Sequence, residues 1–83
     1  MEQEVFAIVR SCILEIVPDV QASAIVPNVS MRDLGANSVD RMEVVTLAME
    51  KLKLKIPVVE FTNVSNVGQL VQVYCRALAG AGG

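Results

Sequence analysis

The sequence contains no histidine and no tryptophan, and its aromatic residues are one tyrosine and two phenylalanines. Histidine is the side chain most often used for proton transfer near neutral pH, and it is the commonest metal ligand. The chain also lacks a G-x-S-x-G elbow, a glycine-rich phosphate loop and a zinc-binding motif. We therefore expect neither independent catalysis nor a metal site.

Long hydrophobic runs and paired cysteines are missing as well. No stretch approaches the roughly 18 consecutive apolar residues of a membrane span, and the N-terminus carries acids where a secretory signal carries bases. These features predict a cytoplasmic protein with no membrane partner. Cys12 and Cys75 lie far apart without a C-x-x-C motif, and we expect reduced thiols because a cytosol keeps such cysteines reduced.

What the sequence does contain is apolar residues, 53% of 83 positions, which suits one globular domain. The net charge of −2 hides an asymmetry, with eight acids against three arginines in residues 1–50 and four bases against one acid in residues 51–83. Lys51, Lys53 and Lys55 alternate and could form a nucleic-acid patch. The acidic pI of about 4.9 and the scarcity of aromatics favour solubilising charges and no nucleic-acid partner.

Apolar residues recur at intervals of three and four over three stretches, which is the period of an amphipathic helix. We predict helices over residues 3–17 and 38–52, a third that starts at an Asn66 cap and ends before the G-A-G-G tail, and a small all-α bundle as the fold. Pro18 should end the first helix, and the glycine-rich end of the chain should end the last. The positions predicted to face the core are Val5, Ile8, Val9, Cys12, Ile13, Ile16, Val39, Met42, Val44, Val45, Leu47, Ala48, Met49, Leu52, Val67, Leu70, Val71, Tyr74 and Leu78.

The first connection, residues 18–36, contains two prolines and a glycine and shows no long period. Loops of this length in small domains are usually packed by their own side chains or functional. Ile25 and Val26 are predicted to anchor it to the core. Ser30, followed three residues later by an acid, predicts one helical turn over Met31–Leu34.

A short helical turn is predicted near residues 60–63. Residues 53–59 alternate like a strand, but a lone strand has no partner with which to pair. The domain should extend over residues 1–79, and residues 80–83 should form a flexible tail.

The junction at residues 35–40 is the strongest candidate site. Gly35 allows a sharp turn, and Asn37 is a good N-cap with Asp40 at the third helical position. Ser38 then begins the helix with its hydroxyl exposed, where a helix N-terminus favours a phosphate. Ser38 is thus either a phosphodiester attachment site served by a separate enzyme or an ordinary serine at a helix start.

Residues 33–40 read D-L-G-A-N-S-V-D and continue with Met42-Glu43-Val44-Val45. This stretch resembles the 4′-phosphopantetheine attachment motif of acyl carrier proteins, which typically reads D-L-G-x-D-S-L-D. Ile56-Pro57 and Val67-Gly68-Gln69-Leu70 match further landmarks of that family in order and spacing. The resemblance extends from about residue 3 to residue 79.

The resemblance implies that Ser38 carries phosphopantetheine covalently and that acyl groups ride on its thiol as thioesters. It implies a non-enzymatic carrier built as a four-helix bundle, in which the third helix is short and the other three are long. In that family the second helix is the recognition surface, although the same positions also suit an ordinary solvated face. Here the surface transfers to Asn37, Val39, Asp40, Arg41, Glu43, Val44, Leu47 and Glu50.

Two departures from the family pattern, Asn37 for aspartate and Val39 for leucine, indicate which kind of carrier this is. The form G-A-N-S-V-D-R is similar to discrete carriers of trans-acyltransferase polyketide pathways, above all the β-branching donors that hold acetyl for an HMG-type synthase. Acceptor carriers tend to have tryptophan where this chain has Val44. The alternatives are a polyketide or fatty-acid elongation carrier and, from another class, an unmodified helical adaptor.

The implied partners follow from that role. They are a phosphopantetheinyl transferase, an acyltransferase or decarboxylase that loads the acyl group, and an HMG-type synthase or ketosynthase that receives it. The carrier itself is expected to be a monomer.

Overall fold

The structure, a computed structural model, describes residues 1–81 and consists of helices and connecting turns. The three α-helices are α1 (Glu2–Ile16), α2 (Ser38–Leu52) and α3 (Val67–Ala81). Two 3₁₀ helices lie at Ala22–Ala24 and Val58–Phe61, and residues 1–81 contain no strand. α1 packs against both α2 and α3. The predicted all-α fold is confirmed, and the short helix expected before the last long one is a 3₁₀ helix.

The first helix ends where the chain meets a proline. Val17 has φ −93° and ψ 114°, an extended conformation, although its N–H still donates to the Ile13 carbonyl. A residue before proline is pushed out of the helical region by the proline ring. The helix therefore ends at Ile16, one residue before the predicted end.

The core lies where the three helices meet. Its fully buried side chains come from every long helix and from the first loop, through Ile25 and Ala36. The buried helical residues of this cluster are Val5, Val9, Cys12, Ile13, Val44, Ala48, Val67, Leu70, Val71 and Tyr74. The predictions for α1 and α3 are confirmed, since Ile8, Ile16 and Leu78 pack at the edge of this cluster.

Three of the residues predicted to be in the core are exposed instead. Val26 is 41% exposed because the neighbouring Ile25 takes the inward position of the loop. On α2, Val39 is 65% and Met42 is 49% exposed. The inward side of that helix passes through Val44 and Ala48, four residues apart, and this leaves Val39 and Met42 on the outside.

Tyr74 is the largest buried side chain and joins α3 to α2. Its hydroxyl donates a hydrogen bond to the Val45 carbonyl at 2.9 Å, and its ring lies 5.8 Å from the Phe61 ring at a tilt of 60°. Burial raises the pKa of this phenol well above its usual value. Tyr74 thus stays neutral and holds the 3₁₀ helix and α2 against α3.

The start of α3 is built by the first loop as well as by its own cap. The Val67 N–H donates to the Val29 carbonyl at 2.9 Å, and the Gly68 N–H donates to the Pro27 carbonyl at 2.7 Å. Asn66 Oδ1 accepts from the Gln69 N–H at 2.8 Å, as the predicted cap requires. These contacts satisfy N–H groups that a helix start leaves without intrahelical partners.

We expect Gly68→Ala to lower the free energy of unfolding by about 1–3 kcal/mol, the usual cost of overpacking. A β-carbon added at Gly68 meets the Pro27 carbonyl oxygen at 2.9 Å and Pro27 Cβ at 3.3 Å, and neither is the end of a flexible chain. Urea denaturation followed by circular dichroism measures the change.

The matched control for that prediction is Gly80→Ala in the same helix. A β-carbon there meets nothing within 4 Å, so the substitution should leave stability unchanged or raise it by up to about 1 kcal/mol. Equal loss of stability in both variants would show that the contact with Pro27 is not what excludes a side chain at Gly68.

The end of α3 lies beyond the predicted stop before the G-A-G-G tail. The helix continues through Ala81, so residues 80 and 81 of the predicted flexible tail are helical. Residues 82–83 of that tail lie outside the described residues. The predicted domain boundary at residue 79 stays a prediction.

The three α-helices are 15 residues each. In the part of the chain that the structure describes, no helix has the length and hydropathy required to span a membrane.

Candidate functional site

The turn before Ser38 is closed by a glycine in the left-handed region. Gly35 has φ +95°, its N–H donates to the Arg32 carbonyl at 3.0 Å, and the Ala36 N–H donates to the Met31 carbonyl at 3.0 Å. This pair of bonds is the Schellman arrangement, which favours glycine because a side chain would be strained there. The predicted single turn over Met31–Leu34 is present, as a hydrogen-bonded turn over residues 31–35.

Ala36 and Asn37 then lead the chain into α2. Ala36 is 4% exposed and attaches the end of the loop to the core. Asn37 Oδ1 accepts from the Asp40 N–H at 2.8 Å, and the Asp40 carboxylate accepts from the Asn37 N–H at 3.2 Å. This is a complete capping box, so the predicted helix start is confirmed. Ser38 is thereby held as the first residue of a well-defined helix.

We expect Asn37→Ala to destabilise the protein by about 1 kcal/mol, because the Asp40 N–H loses its acceptor. Asn37→Asp is the matched control. Aspartate caps helices as well as asparagine does, so its stability should stay within about 0.5 kcal/mol of the wild type. Urea midpoints of the two variants check this, and equal losses would contradict a capping role for the side chain.

The Ser38 hydroxyl is exposed and accepts a hydrogen bond from Arg41 Nη2 at 3.2 Å. Beside it lies an open, mainly apolar depression of about 280 Å³, smaller than the sites that hold drug-sized ligands. The depression is lined by Met31, Ser38, Arg41, Met42, Val45, Phe61, Val64 and Leu70. The hydroxyl is thus open to a macromolecular partner and stands next to a cationic side chain.

The other positions of the predicted recognition surface fall into three groups. Asn37, Val39, Glu43 and Glu50 are exposed on or beside α2. Asp40, Arg41 and Leu47 are partly buried. Val44, which was predicted both to face the core and to belong to the recognition surface, lies in the core, so it is not an exposed position of that surface. Its side chain is 0% exposed because it belongs to the buried core cluster.

Met42 is an exposed residue near the site that sequence reasoning assigned to the core. It lies one helical turn after Ser38 and lines the same depression. The spacing of four residues from Ser38 is the signal that places it on the same side of α2. Together with Val39, it gives the start of α2 an exposed apolar surface.

The two cysteines are free and lie away from this site. Cys12 is fully buried in α1, where burial raises the pKa of its thiol, and burial also raises the pKa of the partly buried Cys75. A raised pKa disfavours the reactive thiolate. Within residues 1–81 no group of three His, Cys, Asp or Glu side chains is placed to hold a metal ion.

Comparison with known proteins bears on this serine and its helix. Residues 7–73 match the family model for the phosphopantetheine attachment site. The chain is 38% identical over 72 residues to the polyketide biosynthesis acyl-carrier-protein AcpK of Bacillus subtilis (strain 168), covering 87% of this chain and 88% of AcpK. The chain belongs to the acyl carrier protein family. It is therefore a carrier and not itself an enzyme, and its covalent cofactor is phosphopantetheine.

The carrier also resembles a solved structure. It matches a chain in the crystal structure of the curacin biosynthetic pathway HMG synthase in complex with acetyl donor-ACP, with a TM-score of 0.83 and 32% identity. The match covers 92% of this carrier and 97% of that chain. The expected family and its helical fold are thus confirmed.

Proposed function

We propose that this carrier presents an acetyl group to an HMG-type synthase during β-branching in polyketide biosynthesis. The observation that carries the proposal is the structural match to a chain in a complex of such a synthase with its acetyl donor carrier. The match covers 97% of that chain. The similarity to a polyketide carrier supports the same assignment. The sequence G-A-N-S-V-D-R and the absence of tryptophan at Val44 agree with a donor.

We further propose that Ser38 is the attachment residue. It is exposed, it begins a helix whose cap is complete, and its oxygen already accepts from a cation, so the residues present fit a phosphodiester. Ser38 Oγ forms a bond to the phosphorus that bears pantetheine in coenzyme A. The anhydride P–O bond at that phosphorus breaks and releases adenosine 3′,5′-bisphosphate, the bond to pantetheine is kept, and the hydroxyl proton passes to the transferase. When bound, the cofactor supplies a thiol that holds acyl groups as thioesters.

The partner surface is proposed to lie on the exposed part of α2 around Ser38. Val39 and Met42 supply an apolar centre, 65% and 49% exposed respectively. Asn37, Asp40, Arg41, Glu43, Leu47 and Glu50 surround it. An apolar centre with a polar rim is the usual anatomy of a protein interface. Val44 supports this surface from beneath and does not contact the partner.

A phosphopantetheinyl transferase modifies the protein, and an acyltransferase or decarboxylase supplies the acyl group. The carrier acts as a cytoplasmic monomer of one domain over residues 1–79. Its 3₁₀ helix at Val58–Phe61 takes the place of a short third helix, so the architecture corresponds to a four-helix bundle.

The test loads the carrier with acetyl-phosphopantetheine from acetyl-coenzyme A and a transferase, then adds an HMG-type synthase. Intact mass should show acetyl leaving the carrier and appearing on the synthase. A malonyl-loaded carrier is the comparison. Efficient extension of that malonyl group by a ketosynthase, with no acetyl transfer to the synthase, would identify an elongation carrier instead.

A further inference from the structure

The Arg41 guanidinium is the cation nearest to the proposed attachment atom. Arg41 lies three residues after Ser38 in α2, and its Nη2 donates to Ser38 Oγ at 3.2 Å. The adjacent carboxylate, Asp40, is used elsewhere, since it accepts from the Asn37 N–H. Within residues 1–81 the ion pairs are Met1 with Glu4 and Lys51 with Glu15, and Arg41 takes part in neither. Its charge is therefore available to an anion at Ser38.

We propose that Arg41 is a positioning residue that binds the phosphodiester on Ser38 and thereby directs the start of the prosthetic arm. This inference rests on the proposed attachment at Ser38. A phosphorus atom bonded to Ser38 Oγ brings its unesterified oxygens next to the guanidinium that already contacts that oxygen. A guanidinium offers planar N–H pairs that match two phosphate oxygens, and such charge-assisted hydrogen bonds are stronger than neutral ones.

The location of Arg41 determines where it directs the start of the prosthetic arm. It lines the apolar depression beside Ser38, and it also lines a second depression that is more polar. The other side chains that line the second depression are Ser30, Met31, Arg32, Asp33, Val64, Ser65 and Asn66. Arg32 and Asp33 offset one another there, so Arg41 supplies the excess positive charge. A phosphodiester bound by Arg41 is held at the boundary between the two depressions, instead of extending freely into solvent.

The experiment uses the phosphopantetheine-bearing carrier and phosphorus NMR, with modification first verified by intact mass. In Arg41→Gln we expect a lower phosphorus transverse relaxation rate and a displaced resonance, because the phosphodiester loses its contact with the helix. Arg41→Lys keeps the charge without the planar N–H pair and should give an intermediate rate. Arg76→Gln, which removes an exposed arginine from α3, is the matched control and should behave as the wild type.

Salt provides a second measurement on the unaltered carrier. Exposed ion pairs weaken as the Debye length shortens, so the wild-type relaxation rate should fall toward that of Arg41→Gln as salt is raised. The rate of Arg41→Gln should change little. A merely structural role for Arg41 would produce no such convergence, and melting temperatures of the variants verify that the fold is unchanged.

The outcomes separate this inference from the proposed function. If the wild type gains no mass with coenzyme A and transferase, the attachment proposal fails and this inference fails with it. If the mass is gained but relaxation is equal in wild type and Arg41→Gln, or does not change with salt, only the role of Arg41 is overturned. Where a variant resists modification, the salt series on the wild-type carrier decides alone.

Discussion

Ser38→Ala is expected to abolish the mass gain that the wild-type protein shows after incubation with coenzyme A and a phosphopantetheinyl transferase. The substitution removes the side-chain oxygen of the first residue of α2. This oxygen lies beside Arg41, and its residue directly follows the cap of a complete capping box. An alanine offers no atom that can form the phosphodiester, so the expected loss is complete. Intact-mass spectrometry of both proteins after identical incubation is the measurement.

The loss in Ser38→Ala should not come from unfolding. Ser38 is exposed, and within the described residues its side-chain hydrogen bond is the one it accepts from Arg41, so the stability change should stay within about 0.5 kcal/mol. Ser23→Ala, at an exposed serine of the first 3₁₀ helix, is the matched control and should be modified fully. A mass gain that persists in Ser38→Ala would show that another residue carries the group.

Val44→Asp is expected to unfold much of the protein population, whereas Val39→Asp in the same helix should be tolerated. Val44 is 0% exposed and lies among apolar side chains. A carboxylate buried there without a partner costs several kcal/mol. A domain of this length has a total stability of roughly 4–12 kcal/mol, so such a loss removes a large share of it. Urea denaturation followed by circular dichroism gives both values.

Val39 is the comparison because its side chain is 65% exposed and lies in the first turn of α2. An acidic residue near a helix N-terminus interacts favourably with the helix dipole, so Val39→Asp should keep or slightly raise stability. It should weaken binding to a partner that docks on the apolar surface around Ser38. Wild-type stability in Val44→Asp would contradict the placement of that residue in the core.

This pair of substitutions also bears on how partner-surface mutations are interpreted. A change at Val44 that reduces acyl transfer acts through loss of the fold, since the side chain does not reach the surface. Changes at Val39 or Met42 act at the surface itself, since both side chains are exposed. Measuring stability beside acyl transfer for each variant distinguishes the two causes.

The helix positions were largely predictable because they depend on neighbours in the chain. Asn37 and Asp40 form the capping box that their spacing indicated, and Pro18 limits α1 through the residue before it. The 3₁₀ helix at Ala22–Ala24 was not predicted, because a segment of three residues is too short to show a periodic pattern of apolar residues. The helical conformation of residues 80 and 81 was also missed, because glycine near the end of a predicted helix indicates a stop and yet Gly80 is helical.

The candidate site, like the helices, could be predicted from the sequence only in part. The attachment motif and the exposed serine could be predicted, because a cap, a turn glycine and a helix start act over a few residues. The contact between Arg41 and Ser38 was not predicted, since an arginine three residues along a helix can point in several directions. Met42 was misassigned because α2 has apolar residues around much of its circumference, and periodicity alone does not choose among them.

The sequence by itself determined the family, the three helices, the start of α2 and the serine that it presents, because these follow from spacing, caps and turn residues within short segments. Only the tertiary structure decided which side of α2 is buried. That choice depends on where α1 and α3 lie against the helix, and it makes Val44 and Ala48 core residues while Val39 and Met42 surround Ser38. The tertiary structure also joined the carbonyls of Pro27 and Val29 to the start of α3. These residues are distant in sequence, and no local rule brings them together.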